Sequence, residues 1–201
     1  MTSKDIYKFI KQQIILLDRD TPWSKAMLAK LRRAAGKTPG LFPDIWEVSL
    51  PVDILEENPK NKNNERAEKA VHVALTLYAL HKQGKREKSM NYSEQDEKGN
   101  DKGYSFGKAT AQLIRNDVDR KESIIRRFNA AATSTDIVEL SWHSRGIVQF
   151  LKDDDITMSY PRFAEDLYIY QIPGQSDSVR LKWGEDFYRV LNYMGKDDTK
   201  E

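Results

Sequence analysis

The stretch that decides the fold is Tyr104–Leu151, which reads YSFGKATAQLIRNDVDRKESIIRRFNAAATSTDIVELSWHSRGIVQFL. Its apolar residues recur every three to four positions in three successive runs, which is the spacing of an amphipathic helix. Ser105 precedes the first run, and Asp119 and Asp136 precede the other two, each followed three residues later by a glutamate. Serine and aspartate cap helix N-termini, and the later glutamate completes a capping box. The stretch therefore predicts three consecutive helices that pack against one another.

Basic side chains flank the apolar faces of these three helices. They are Lys108, Arg115, Arg120, Arg126, Arg127 and Arg145. A packed helical core with arginines on its outside suits a polyanion better than a small substrate. The stretch contains no recognition helix that begins with base-reading Asn or Gln. We therefore predict contact with a phosphate backbone, without sequence reading.

Helical periodicity continues on both sides of this stretch. Further helices are predicted at Asp5–Leu17, at Trp23–Ala35 with Pro22 at the first helical position, at Glu65–Lys82, from Ser159 onward, and from Val179 to Met194. The apolar face predicted for the first of them consists of Ile6, Phe9, Ile10, Ile14 and Leu17. Gln83–Lys102 is charged and has almost nothing to bury, so it is predicted to be a long exposed loop. No segment shows the strict alternation of a half-buried strand. We therefore predict an all-α protein of roughly eight to nine helices in two packed bundles, an N-terminal one over residues 1–102 that ends in this loop and a C-terminal one over residues 103–201.

The composition narrows the function classes. The 201 residues contain no cysteine, which excludes a disulfide framework, a zinc–thiolate site and a thiol nucleophile, and fits a reducing cytoplasm. The N-terminal segment is polar and no run of about 18 apolar residues is present, so we predict a cytoplasmic protein without a signal peptide or membrane span. The net charge is only +2, but Ser24–Thr38 holds five cations and no acid. Such segregation predicts a basic face that binds phosphates.

The sequence contains no catalytic constellation, phosphate-binding glycine loop or metal-ligand motif. His72 and His81 fall on different faces of one helix and make a poor metal pair, and His143 forms no triad with its helix neighbours. We interpret Asp153–Asp155 as a solvated turn. We interpret Trp142 as packed at a helix interface, although single-strand binders use such rings as stacking platforms. We therefore predict no enzymatic activity, no cofactor and no metal.

Several short segments follow one another in a known order. They are LRRA at 31–34, SFGKA at 105–109, RRF at 126–128, the helix through HSR at 143–145, the segment 156–167 and RLKWGEDFY at 180–188. This ordered set resembles the CasB family, the small subunit of the type I-E CRISPR surveillance complex called Cascade. The resemblance covers the chain from about residue 5 to 190. The Lys85–Lys102 loop interrupts it, and no function is carried over to that loop.

The resemblance implies an all-helical, non-catalytic protein of two bundles. Members pair head to tail as two copies along Cascade, lie beside the crRNA–target heteroduplex and hold the displaced non-target strand, which stabilises the R-loop. Guide pairing then reads the sequence while the protein contacts backbone. The implied partners are crRNA, target DNA, the other Cascade subunits and a second copy of the chain, with no membrane. The residues that match basic positions of the family are Arg32, Arg33, Arg66, Lys108, Arg126, Arg127, Arg145, Arg180 and Lys182.

Two other interpretations stay open from the residues alone. In the first, the chain is a helical adaptor whose arginines bind acidic proteins and never contact nucleic acid. In the second, it is an enzyme, which the lack of a convergent catalytic cluster disfavours. A salt titration of single-stranded DNA binding separates the adaptor from the nucleic-acid binder. An adaptor does not bind the DNA even at low ionic strength, whereas phosphate contacts give an affinity that falls steeply with salt.

Overall fold

The computed structural model describes residues 1–58, 61–85, 87–92 and 103–197, with side chains up to residue 193. Within these ranges the chain forms nine α-helices joined by turns and short 3-10 segments. The helices are α1 (Ser3–Leu17), α2 (Pro22–Ala34), α3 (Trp46–Ser49), α4 (Lys62–His81), α5 (Phe106–Asn116), α6 (Lys121–Ala132), α7 (Ile137–Asp153), α8 (Tyr160–Tyr170) and α9 (Ser176–Asp197). The one β pairing in these ranges is an isolated bridge between Asn91 and Met158. The predicted all-α class and number of helices are confirmed.

Several helices begin where the sequence predicts. The hydroxyl of Ser105 accepts a hydrogen bond from the backbone N–H of Lys108 at 3.3 Å, and the hydroxyl of Ser159 accepts one from Arg162 at 3.4 Å. Pro22 occupies the first position of α2, where its missing N–H costs no hydrogen bond. These caps satisfy donors that have no partner within their own helix, so nearby residues are enough to place them.

The predicted start of the second central helix, at Asp119, is wrong. Val118–Arg120 form a 3-10 turn, and α6 begins at Lys121. Asp117 explains the difference, because its carboxylate accepts the backbone N–H of Asp119 at 3.1 Å and pairs with the Arg120 guanidinium at 2.8 Å. The capping carboxylate therefore lies two residues earlier than predicted, and it holds Arg120 in the turn.

Helix α4 occupies the centre of the molecule. Every residue from Ala70 to His81 is buried, because α1, α2, α7 and α8 pack around this helix. The burial of His81 lowers its pKa to about 4, and burial also lowers the pKa of His72. Both rings are therefore neutral at pH 7 and form part of the core.

Helix α8 lies in the C-terminal half of the sequence but packs mainly against α1 and α4. Arg66 of α4 fixes the end of this helix by donating from Nε to the carbonyl of Gln171 at 3.1 Å, and the Gln171 amide donates back to the carbonyl of Arg66 at 2.9 Å. The predicted bundle boundary at residue 102 lies outside the described residues. The division into bundles over 1–102 and 103–201 stays a prediction.

Helices α5 and α9 pack extensively against each other and cross at Gly107. A Cβ atom at this position would lie 2.1 Å from the carbonyl oxygen of Trp183, so only glycine fits. The fully buried Trp183 ring lies 5.0 Å from the ring of Phe106 and 6.1 Å from that of Phe163, centroid to centroid. This aromatic cluster joins α5, α8 and α9.

The prediction that Gln83–Lys102 has almost nothing to bury is wrong for the part that the structure describes. Met90 is fully buried, and its carbonyl accepts the backbone N–H of Met158 at 3.3 Å. The hydroxyl of Ser89 donates to the carboxylate of Asp18 at 2.7 Å. The segment 87–92 is therefore fastened to two distant parts of the chain, whereas residues 86 and 93–102 lie outside the described residues.

Candidate nucleic-acid interface

Three of the nine basic residues assigned to nucleic-acid binding take part in contacts that hold the fold. Arg66 joins α4 to the end of α8, as described above. Lys182 pairs at 2.7 Å with Asp166, a carboxylate that is 1% exposed and also accepts the indole N–H of Trp183. Arg180 donates to the carbonyl of Ser134 at 2.7 Å and pairs with Asp177 at 2.8 Å. Removing any of these side chains disturbs internal packing.

Arg33 lies on the surface of α2 and has a carboxylate partner. Its guanidinium pairs with Asp44 at 3.4 Å, and both side chains are largely exposed. An exposed pair of this kind contributes about 0–1 kcal/mol, so a phosphate can compete for the guanidinium. Its neighbour Arg32 points in another direction and is half-buried against the end of α4.

The other five residues have no carboxylate partner in the described part of the chain. These are Arg32, Lys108, Arg126, Arg127 and Arg145. Arg126 and Arg127 are exposed on α6, whereas Lys108 on α5 is half-buried. A cation that no acid neutralises keeps its full attraction for a phosphate, which distinguishes this group from Arg33 and Lys182.

Arg127 lies across the neighbouring helix α7. Its guanidinium carbon is 5.0 Å from the centre of the Phe150 ring, and its Nη1 would be 3.6 Å from a Cβ atom on Gly146. The ring holds the guanidinium by a cation–π contact, and glycine leaves room for it beside the helix backbone. The positive charge of Arg127, a residue of α6, therefore lies over the surface of α7.

Arg145 extends from α7 toward α2. Its Nη1 lies 3.5 Å from the carbonyl oxygen of Ala35 and 3.6 Å from the place of a Cβ atom on Gly36. Ala35 in turn donates its N–H to the carbonyl of Arg32 at 3.3 Å. The basic residues without a described carboxylate partner on α2, α7 and α6 are Arg32, Arg145, Arg127 and Arg126, and we call these four residues the basic strip.

A cavity of about 330 Å³ adjoins the strip at Arg32. Its other cationic side chains are Lys25, Lys82 and Lys85, and its carboxylates are those of Asp18 and Asp20. Lys25 pairs with Asp20 at 3.0 Å, and Lys82 pairs with Asp18 at 3.2 Å. Burial lowers the pKa of Arg32, whose guanidinium nevertheless stays charged at pH 7. The acid-free run at 24–38 predicted a basic surface that includes Lys25 and Arg32. The local sequence does not predict that Lys85 lies in the same cavity.

Two interpretations of single residues need correction. Trp142 does not pack at a helix interface, because its side chain is 70% exposed on α7. The run Asp153–Asp155 is not simply a solvated turn. Asp154 pairs with Arg120 at 3.0 Å and Asp155 pairs with Lys85 at 2.6 Å, so the run neutralises cations from two other segments.

The described residues contain no group of His, Asp and Glu side chains that could hold a metal ion. No helix there combines the length and the apolar character needed to cross a membrane.

Comparison with known proteins identifies relatives over most of the chain. Residues 27–188 match the family model described as CRISPR-associated protein Cse2. The chain is similar to the crystal structure of CasB from Thermobifida fusca, with 29% identity, a TM-score of 0.75, and coverage of 91% of this chain and 97% of that one. CasB from M. ruber is 23% identical with a TM-score of 0.64, and each chain is 96% covered.

CasB from Thermus thermophilus has the same fold at lower identity. The two chains are 18% identical, with a TM-score of 0.63, and the match covers 94% of this chain and 99% of that one. No curated protein sequence matches the chain.

Proposed function

Because this chain belongs to the Cse2 family of CRISPR-associated proteins, the CasB small subunits of type I-E Cascade, we propose that it binds nucleic-acid backbone without sequence specificity and stabilises the R-loop in antiviral defence. Its partners in this role are crRNA, target DNA with its displaced strand, the other Cascade subunits and a second copy of itself. We expect this binding to take place in the cytoplasm. The protein supplies contacts and no chemistry, since guide pairing reads the sequence.

The observation that supports this proposal best is the composition of the basic strip. Its four arginines come from three helices, and no described carboxylate lies within ion-pair distance of any of them. Arginines that lack internal acids are available to phosphates, and a row of them matches the repeated charge of a strand. Lys108 remains in the proposal as a further phosphate contact on α5.

We propose different roles for the nine assigned residues. Arg66, Arg180 and Lys182 form hydrogen bonds to backbone carbonyls or a buried carboxylate, so we propose that they act mainly by holding the fold. We expect Arg33 to contribute to binding as well, because its weak surface ion pair with Asp44 can open and free the guanidinium for a phosphate.

A salt titration of the full chain tests this function. We expect binding to a single-stranded DNA oligonucleotide at low ionic strength, with log affinity falling linearly with log salt at a slope of about −3 for four phosphate contacts. The affinity should be the same for oligonucleotides of different sequence, because no base edge is read. Fluorescence anisotropy at several salt concentrations measures both properties. Absence of binding at the lowest salt would favour the adaptor interpretation instead.

A further inference from the structure

An exposed aromatic ring stands on α7 with no role in the core. The Trp142 side chain is 70% exposed, in contrast to Trp183, which is fully buried. The ring of His143 contacts the indole edge-on, with centroids 5.0 Å apart and planes at 81°. This contact supports the orientation of the indole and leaves most of its surface open to solvent.

Trp142 lies beside two arginines of the basic strip. Arg145 follows it by three residues, and Gly146, which underlies the guanidinium of Arg127, follows it by four. Residues three and four apart on a helix are neighbours, about 5–6 Å apart at their Cβ atoms. Trp142 therefore lies one helical turn from Arg145 and from the glycine beside which the Arg127 guanidinium lies.

We propose that Trp142 is a stacking site for one unpaired base of a single strand whose phosphates lie on Arg127 and Arg145. This inference rests on the proposed function and adds a preference to it: the strip favours single strands, whose bases are free to stack, over duplex. Proteins that hold single strands combine a basic track with aromatic rings, and stacking tolerates every base because each has a π face. The proposed stacking therefore keeps nucleic-acid binding independent of the base sequence.

The neighbouring charges favour a nucleic acid as the occupant over an apolar protein surface. Arg127 and Arg145 have no carboxylate partner in the described part of the chain, so a protein that covered Trp142 would have to desolvate both charges. A nucleotide satisfies them, because it brings its phosphate along with its base.

The test uses the full chain and two strands of equal length, a single-stranded DNA oligonucleotide and a strand of abasic sugar-phosphate units. We expect Trp142→Ala to weaken binding of the DNA about 5-fold to 100-fold at constant salt, as the loss of one stacked base requires. It should leave binding of the abasic strand unchanged, and its salt slope should equal that of wild type. Val138→Ala is the matched control, since Val138 is 71% exposed one turn earlier on α7.

Three results would overturn the inference while the proposed function stood. They are an unchanged DNA affinity for Trp142→Ala, an equal loss on the abasic strand, and an equal loss for Val138→Ala. If Trp142→Ala instead reduced incorporation into Cascade at unchanged DNA affinity, the ring would be a protein contact. Failure of the wild-type chain to bind either strand at low salt would defeat the proposed function itself.

Discussion

Replacement of Gly107 by alanine is expected to destabilise the protein by about 3 kcal/mol or more, the upper end of the range for overpacked cores. The added Cβ atom would lie 2.1 Å from the carbonyl oxygen of Trp183. Because that oxygen belongs to the backbone of α9, no side-chain rotation can relieve the clash. The two helices must separate, which opens the aromatic cluster around Trp183.

Gly184→Ala provides the matched control for this prediction. Gly184 lies on α9 next to Trp183, and a Cβ atom there would have no heavy atom within 4 Å. Alanine is favoured over glycine within a helix by about 1 kcal/mol, so this variant should be as stable as wild type or more stable. Urea denaturation followed by circular dichroism compares the free energies of unfolding. Equal stability of the two variants would contradict the close crossing of α5 and α9.

Reversal of two charges on α6 is expected to cause the largest loss of binding. The double variant Arg126→Glu/Arg127→Glu should weaken single-stranded DNA binding about 100-fold at low salt, because two contacts are lost and two repulsions are added. The loss should be the same for every sequence, and the salt slope should become shallower by about 1.4. Fluorescence anisotropy with several oligonucleotides measures each of these.

A control with the same change in charge separates the strip from the overall electrostatic field. Lys4 and Lys8 are exposed on α1, which packs against α8 and α4 rather than against α6. The variant Lys4→Glu/Lys8→Glu should therefore lose only the small amount that the altered net charge accounts for. An equal loss in both variants, or a loss confined to one sequence, would refute backbone contact at the strip.

Local sequence was sufficient for most of the fold. The apolar spacing of Ile6, Phe9, Ile10, Ile14 and Leu17 defined the buried face of α1, and all five are buried. Ser105 and Pro22 placed helix starts because caps depend on neighbouring residues. The start of α6 was misplaced because Asp117 and Asp119 are both possible caps, and it is Asp117 that caps the 3-10 turn before α6.

Features that depend on tertiary contacts could not be obtained in this way. Met90 is buried only because its segment meets Met158, far along the chain. Trp142 is exposed because no element that the structure describes covers it. A helical pattern alone does not reveal which apolar face finds a partner.

The candidate site shows the same limit. The sequence identifies which residues are cations, but the carboxylate that neutralises each one depends on packing. Lys182 meets Asp166 where α8 and α9 come together, whereas Arg127 meets the ring of Phe150 and no acid among the described residues. Family resemblance supplied the positions, and the structure shows which of these cations have a carboxylate partner in the described part of the chain.

Chemical footprinting of arginines tests the central claim most directly. The full chain is treated with phenylglyoxal with and without single-stranded DNA, and mass spectrometry measures the modification of each arginine. We expect DNA to protect Arg32, Arg126, Arg127 and Arg145 together. Arg189, which is exposed on α9, should react equally in both samples. Protection of Arg189 as strong as that of Arg127, or protection of none of the four, would contradict a shared phosphate track across α2, α7 and α6.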